Sequence, residues 1–375
     1  MSEAAAARRW IVSPAYDLAF FFGGAAASLA ALGLYLAGVP ILVLWWTWIL
    51  AFDGPHIAAA FTRTYIDREE WRRRRGFLLG SLLAFAAGPL ALIAGRILDS
   101  PEPFQIFLGL AVLYAYHHVV RQHYGFLALY RTIERSSRPA FRIEKWALYL
   151  GCWTPYAYLL LTHPKARVLL RLPPSVRSGS LEAALAWVLV GVWLLAVTAP
   201  VIVSILDRDR ARVRPSSVYL LVTVALYGLI YLVVARAEPV YAPSTGPDQD
   251  FLLISVLVTM FHNIQYLGLV WFHNDNRYGG GGDFGPARAL AASPWTYLVG
   301  CLAFSVTVYL LFACATGVFP RCMILPDSRI RSFTASQIGL CLWWGLALHH
   351  YWLDQRIWRV RGDAALRKNL GLEHA

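Results

Sequence analysis

The stretch FLLISVLVTMFHNIQYLGLVWFH, residues 251–273, indicates the fold class of this 375-residue chain. It contains no Asp, Glu, Lys or Arg, and it exceeds the roughly 20 apolar residues that cross a bilayer. Yet His262, Gln265 and Tyr266 interrupt the apolar run, and His273 ends it. Polar side chains at membrane depth are costly and usually face the interior of a helix bundle at a functional site. The stretch therefore predicts a membrane-spanning helix that carries part of such a site.

The rest of the chain has the same apolar character. Hydrophobic residues make up 58% of it and the mean hydropathy is +0.50, values typical of a polytopic membrane protein. We therefore predict an all-α transmembrane bundle forming one integral membrane domain, residues 1–375, with cytoplasmic tails at 1–16 and 357–375. Ten spans are predicted, the fifth interrupted by Pro155: 17–38, 41–62, 77–98, 104–130, 144–162, 181–206, 217–236, 251–273, 289–318 and 334–355.

The distribution of charge predicts the orientation. The net charge is +12, and basic residues concentrate in the loops 67–75, 131–145, 207–214 and 355–368. These loops fall on one side, so the positive-inside rule predicts cytoplasmic N- and C-termini in a bacterial cytoplasmic (inner) membrane; the basic loop 163–180 disagrees. Anionic lipid headgroups are the expected partner. Nucleic acid is not expected, because no basic recognition module is present.

Eight of the ten histidines lie in four of the predicted spans. These are the second, fourth, eighth and tenth spans, which all cross the membrane in the same direction. Each polar cluster lies in the later half of its span. The four clusters are therefore expected at a similar depth, where they could form one composite site.

Residues three or four apart share a helix face, so each span can present a ligand and a second polar group. Several imidazoles with a carboxylate and open positions suit non-haem iron(II), and zinc or copper are also possible. The predicted metal ligands are His56, His118, His262 and one of His349/His350. The remaining ligands or catalytic groups are predicted to be Asp53, Tyr266 and Asp354.

Adjacent histidines point about 100° apart on a helix, so one of each pair is expected to face the site. We favour His118 over His117, and His350 over His349 because Asp354 lies one turn after His350. Groups that hold or surround the ligands are also expected. The candidates for that role are His117, Gln122, His123, Gln265 and His273.

These motifs resemble a known family. Gly54-Pro55-His56, then His118, then Phe261-His262 with Val270-Trp271, then His349/His350 with Asp354 and Arg359, resemble the bacterial beta-carotene dioxygenase family. The resemblance implies a polytopic membrane protein that uses histidine-held non-haem iron to cleave a carotenoid. It also implies that His56, His118 and His262 are iron ligands, completed or supported by the His349/His350 motif.

The chain differs from the family pattern at one position, and the family spacing favours a different histidine of the His349/His350 pair. Tyr266 stands where the family pattern has a second histidine one turn after the first, and the family's His-to-Asp spacing fits His349 rather than His350.

We therefore expect a membrane metalloenzyme, a non-haem iron oxygenase that acts on a lipidic or isoprenoid, carotenoid-like substrate. Two other classes are considered. A proton- or ion-coupled transporter could use the His/Asp cluster as a relay, although no internal repeat typical of transporters is evident. A haem- or quinone-binding membrane protein would predict visible absorption.

Overall fold

The computed structural model describes residues 9–135, 138–163, 180–206, 214–236, 246–315 and 333–373. Within these ranges the regular elements are helices, and no β-strand is present. We number them α1 Pro14–Leu36, α2 Ile41–Thr62, α3 Arg68–Ile97, α4 Glu102–Ile133, α5 Arg138–Thr162, α6 Ser180–Leu206, α7 Pro215–Arg236, α8 Gly246–Tyr278, α9 Pro286–Leu290, α10 Pro294–Ala315, α11 Ala335–Ile357 and α12 Ala364–Asn369.

Eight of these helices are long and apolar enough to cross a membrane: α1 to α4, α6 to α8 and α10. Large apolar side chains remain exposed on them, including Leu83 at 76% and Ile97 at 77%, as expected where lipid rather than protein covers the surface. The predicted all-helical membrane fold is confirmed.

The predicted fifth and tenth spans, α5 and α11, are helices of 25 and 23 residues that fall outside the set of eight. Charged residues at the start of α5 and the His/Asp motif of α11 lower their hydropathy. The ten-span count stays a prediction. Residues 1–8, 164–179 and 207–213, which hold much of the N-terminal tail and of two predicted basic loops, lie outside the described residues.

The helices form two compact units. The first combines Met1–Trp46 with Val119–Gln265. The carboxylate of Asp17 is fully buried there, and it accepts hydrogen bonds from the Ile11 amide (2.7 Å), the Val12 amide (2.9 Å) and the Tyr130 hydroxyl (2.9 Å). These donors offset the cost of burying the carboxylate, so a polar side chain fixes the start of α1.

The second unit combines Thr47–His118 with Tyr266–Glu373. Here α2 passes through a π-helical turn, Ile49–Asp53, directly before Gly54 and Pro55. Proline cannot donate a backbone hydrogen bond, and Ser305 Oγ of α10 donates instead to the nearby carbonyl of Leu50 (2.7 Å). A Cβ on Gly54 would lie 2.0 Å from Ser305 Oγ. Glycine therefore permits the close approach of α2 and α10, and the residues that follow it, including His56, are buried.

Candidate metal centre

A group of four buried side chains in the second unit has the composition of a metal site. His56, His118, His350 and Asp354 each offer one ligand atom, and these atoms all lie within 4.8 Å of one another. His56 comes from α2, His118 from α4, and His350 and Asp354 from one turn of α11. Three of the four predicted clusters thus contribute to one group.

The separations of the imidazoles from the carboxylate match those of ligands that share an ion. His56 Nε2 and His350 Nε2 are 2.7 Å apart, and Asp354 Oδ2 lies 3.4 Å from His350 Nε2 and 3.8 Å from His118 Nε2. Ligand atoms bound at about 2.0–2.2 Å lie roughly 3–4 Å apart around a zinc-sized ion. Three imidazoles and a carboxylate, all buried, therefore fit a transition metal in donor type, and the separations from Asp354 Oδ2 lie in this range. The His56–His350 separation is shorter and is that of a hydrogen bond between the two rings.

Tyr266 holds the second oxygen of the carboxylate. Its hydroxyl donates to Asp354 Oδ1 at 2.6 Å, which leaves Oδ2 facing the histidines. Trp358 Nε1 donates to the same hydroxyl at 3.3 Å. Hydrogen bonds of this kind orient a ligating carboxylate. Tyr266, predicted as a ligand or a catalytic group, thus contacts the group through Asp354.

Aromatic packing orients the imidazoles. His118 stacks on Tyr351 with ring centroids 4.3 Å apart, and His56 lies 4.3 Å from the ring of Tyr266. His350 Nδ1 makes no hydrogen bond within the described part of the chain. Its ring is oriented by the hydrogen bond between its Nε2 and His56 Nε2 (2.7 Å) and by contacts with the neighbouring rings.

The neighbours of His118 and His350 face elsewhere. His349 Nε2 hydrogen-bonds the hydroxyl of Tyr65 at 2.7 Å, and that hydroxyl also donates to the carbonyl of Leu78. His117 is only partly buried and stacks on Tyr114 at 6.4 Å. The structure therefore places His118 and His350 in the group, and it gives His117 and His349 other neighbours.

Asp53 and His273 also lie outside the group. Asp53 Oδ2 accepts a hydrogen bond from the Tyr309 hydroxyl at 2.7 Å. His273 Nδ1 is 3.1 Å from Asn274 Oδ1, and its Nε2 is 3.3 Å from Asn369 Nδ2. Its ring lies edge-on to Trp358 at 5.7 Å, and the indole of Trp358 in turn donates to the Tyr266 hydroxyl.

Four other predicted residues belong to the first unit. His123 is fully buried and bonds two hydroxyls, Tyr219 at 2.8 Å and Tyr227 at 3.1 Å. Gln265 Nε2 donates to the Tyr219 hydroxyl at 3.0 Å and to a main-chain oxygen of α1 at 2.8 Å. These contacts form a network that joins side chains of α4, α7 and α8.

His262, the remaining predicted ligand, is buried in that first unit. Gln122 Nε2 donates to its main-chain carbonyl at 2.7 Å. The group of four donors does not include His262, and a metal role for it stays a prediction.

Sequence reasoning did not single out Arg63, which is buried beside this site. Its guanidinium lies 4.1 Å from the centre of the Trp358 ring. Burial lowers the pKa of Arg63 to about 10, and the nearby Glu70 carboxylate opposes that shift. Its position one residue after α2 is that of an ordinary basic residue at a span end, so only the three-dimensional contact reveals it.

No family model, curated protein or solved structure matches the chain. The resemblance to the beta-carotene dioxygenase family therefore depends on the short motifs alone. The donor group and its hydrogen bonds carry the functional argument.

Proposed function

We propose that this protein is an integral membrane metalloenzyme, a non-haem iron oxygenase that acts on a lipidic or isoprenoid substrate. The observation that carries the proposal is the convergence of His56, His118, His350 and Asp354 within 4.8 Å. A buried carboxylate among three imidazoles is costly without a cation, and a transition metal would supply one. The family resemblance of the motifs favours iron(II), and zinc or copper remain compatible with the same donors.

The residues of the donor group and their neighbours would have different roles. His56, His118, His350 and Asp354 would hold the ion, and Tyr266 would keep Asp354 oriented with Oδ2 toward it. When bound, iron(II) would supply dioxygen activation. The burial of every donor would exclude bulk water, while substrate would enter from the surrounding lipid.

We also propose ten membrane crossings, with α5 and α11 added to the eight apolar helices and both termini in the cytoplasm of a bacterial inner membrane. A 23-residue helix such as α11 extends about 35 Å at 1.5 Å per residue, enough for a hydrocarbon core of about 30 Å. Cysteines introduced at Asp99 and Gly280 should then react with an impermeant reagent from opposite sides, whereas eight crossings without α5 and α11 would place both on the same side. Labelling of both from the same side would disprove this topology.

The metal site is tested by elemental analysis of detergent-purified protein. His350→Ala and His349→Ala form a matched pair, because they remove adjacent imidazoles from the same helix. We expect wild type and His349→Ala to retain a transition metal, and His350→Ala and His118→Ala to lose most of it. An equal metal content in all four proteins would refute the site.

The reaction is tested separately, by dioxygen consumption with a carotenoid or other isoprenoid in the iron-loaded protein. We expect consumption in wild type and none in His118→Ala. Metal-independent ion transport in reconstituted vesicles, without dioxygen consumption, would favour a relay instead.

A further inference from the structure

A cleft of about 430 Å³ lies at the end of α11, and five arginines line it. They are Arg73, Arg74, Arg356, Arg359 and Arg361. The first two belong to α3, and the others belong to the end of α11 or follow it. Two segments nearly 300 residues apart thus contribute positive charge to one concave surface, and none of the predicted site residues lines it.

Ion pairs hold one wall of the cleft in place. Arg74 Nη2 lies 2.6 Å from Asp363 Oδ2, and Arg74 Nε lies 3.1 Å from Glu70 Oε2. Arg73 pairs with the same two carboxylates. The side chain of Arg74 is only 21% exposed. This wall is therefore fixed, and its positive charge is largely balanced.

On the other wall, no carboxylate of the described residues pairs with the arginines. Arg359 Nε donates to the carbonyl of Gln355 at 2.9 Å, and Arg356 lies 6.0 Å from the ring centre of Trp352. Arg361 has neither an ion pair nor a hydrogen bond within the described residues. Five arginines against two carboxylates leave the cleft with about three uncompensated positive charges.

The chemistry of arginine identifies the class of ligand. Its planar guanidinium donates two parallel hydrogen bonds to the oxygens of a phosphate, and several such groups together favour a multiply charged anion. A cavity of this size lies in the usual range for small-ligand sites. A belt of arginines along a membrane interface would be spread around the bundle rather than gathered in one concave surface.

We propose that this arginine cleft is a binding site for a phosphate group. The phosphate belongs either to the headgroup of an anionic membrane lipid or to a soluble phosphorylated compound, and both sources share the same recognition chemistry. The proposal is independent of the metal centre and of its chemistry.

The test compares two probes on the full-length protein in detergent. Pyrophosphate binding is measured by calorimetry, and retention of phosphatidylglycerol against phosphatidylcholine is measured by native mass spectrometry. The variant Arg359→Gln/Arg361→Gln removes charges that no carboxylate pairs with. Arg75→Gln/Arg288→Gln is the matched control, because it removes two arginines outside the cleft and the same total charge.

We expect at least one probe to bind wild type. The cleft variant should bind that probe at least about tenfold more weakly, because the loss of one hydrogen bond to a charged group weakens binding by about that factor. Binding of pyrophosphate identifies a soluble ligand, and selective retention of phosphatidylglycerol identifies a lipid. If pyrophosphate bound by chelating a metal ion instead, its affinity would be the same in the arginine variants as in wild type.

The proposal is overturned if neither probe binds, or if the cleft variant and its control lose binding equally. Melting temperatures of both variants are measured in the same detergent. Loss of binding in a cleft variant that melts as wild type does supports the site. If the cleft variant unfolds early, the single variant Arg361→Gln replaces it under the same criteria, because Arg361 has no partner to lose among the described residues.

Discussion

Replacing Tyr266 with Phe is the most direct test of how the proposed metal centre is built. The substitution removes only the hydroxyl that donates to Asp354 Oδ1 at 2.6 Å, and it keeps the ring that contacts His56 at 4.3 Å. Loss of a hydrogen bond to a metal-ligating carboxylate costs about 10–100-fold in affinity, or about 1.4–2.8 kcal/mol. We expect a loss of that size in the variant, with all four proposed ligands still present.

The assay is an anaerobic titration of metal-depleted protein with iron(II) or zinc against a competing chelator. Tyr309→Phe is the matched control, since it removes a hydroxyl that donates to Asp53 Oδ2 at 2.7 Å, outside the donor group. Its affinity should equal that of wild type. The reasoning is refuted if Tyr266→Phe binds metal as tightly as wild type, or if both variants are weakened by the same factor.

Three further predictions concern stability in detergent. A methyl group on Gly24 would lie 2.8 Å from a main-chain oxygen of α8, so Gly24→Ala should lower unfolding stability by about 1–3 kcal/mol, whereas Gly33→Ala, with nothing within 4 Å, should not. Arg131 Nε lies 2.7 Å from the carboxylate of Glu144, and both side chains are buried. Arg131→Met should therefore lower the free energy of unfolding by about 3–5 kcal/mol, and adding Glu144→Gln to that variant should partly restore it. Burial acts to raise the pKa of Asp363, but the Leu366 amide and three arginines outweigh it and lower that pKa. Asp363→Asn should therefore lower the free energy of unfolding by about 0.5–1 kcal/mol near pH 7. In denaturation curves this difference should shrink as the pH falls below about 4 and be lost below the lowered pKa.

The sequence was most informative about which face of each helix is polar. Helical spacing favoured His118 over His117 and His350 over His349, and the structure places the favoured residue of each pair in the donor group. That result follows from the 3.6-residue period, because a residue one turn from a second polar group shares its face.

Sequence spacing could not indicate which helix each face meets. His349 and Asp53 carry the same chemical signal as the ligands, yet hydroxyls from distant segments, Tyr65 and Tyr309, bond them. Charge counting had the same limit. Arg131 was assigned to a basic loop, but it lies buried against Glu144, because a one-dimensional charge pattern does not reveal ion pairs between helices.

The division of the second compact unit between two separate parts of the chain has a consequence for biosynthesis. His56 and His118 lie in the part Thr47–His118, and their partners His350 and Asp354 lie in the part Tyr266–Glu373. The four donors cannot meet until α11 has been synthesised, since the last of them is residue 354. The helices made first therefore lie in the bilayer before the other donors have been synthesised. A chain whose synthesis ends before α11 would lack His350 and Asp354 and could not form the donor group.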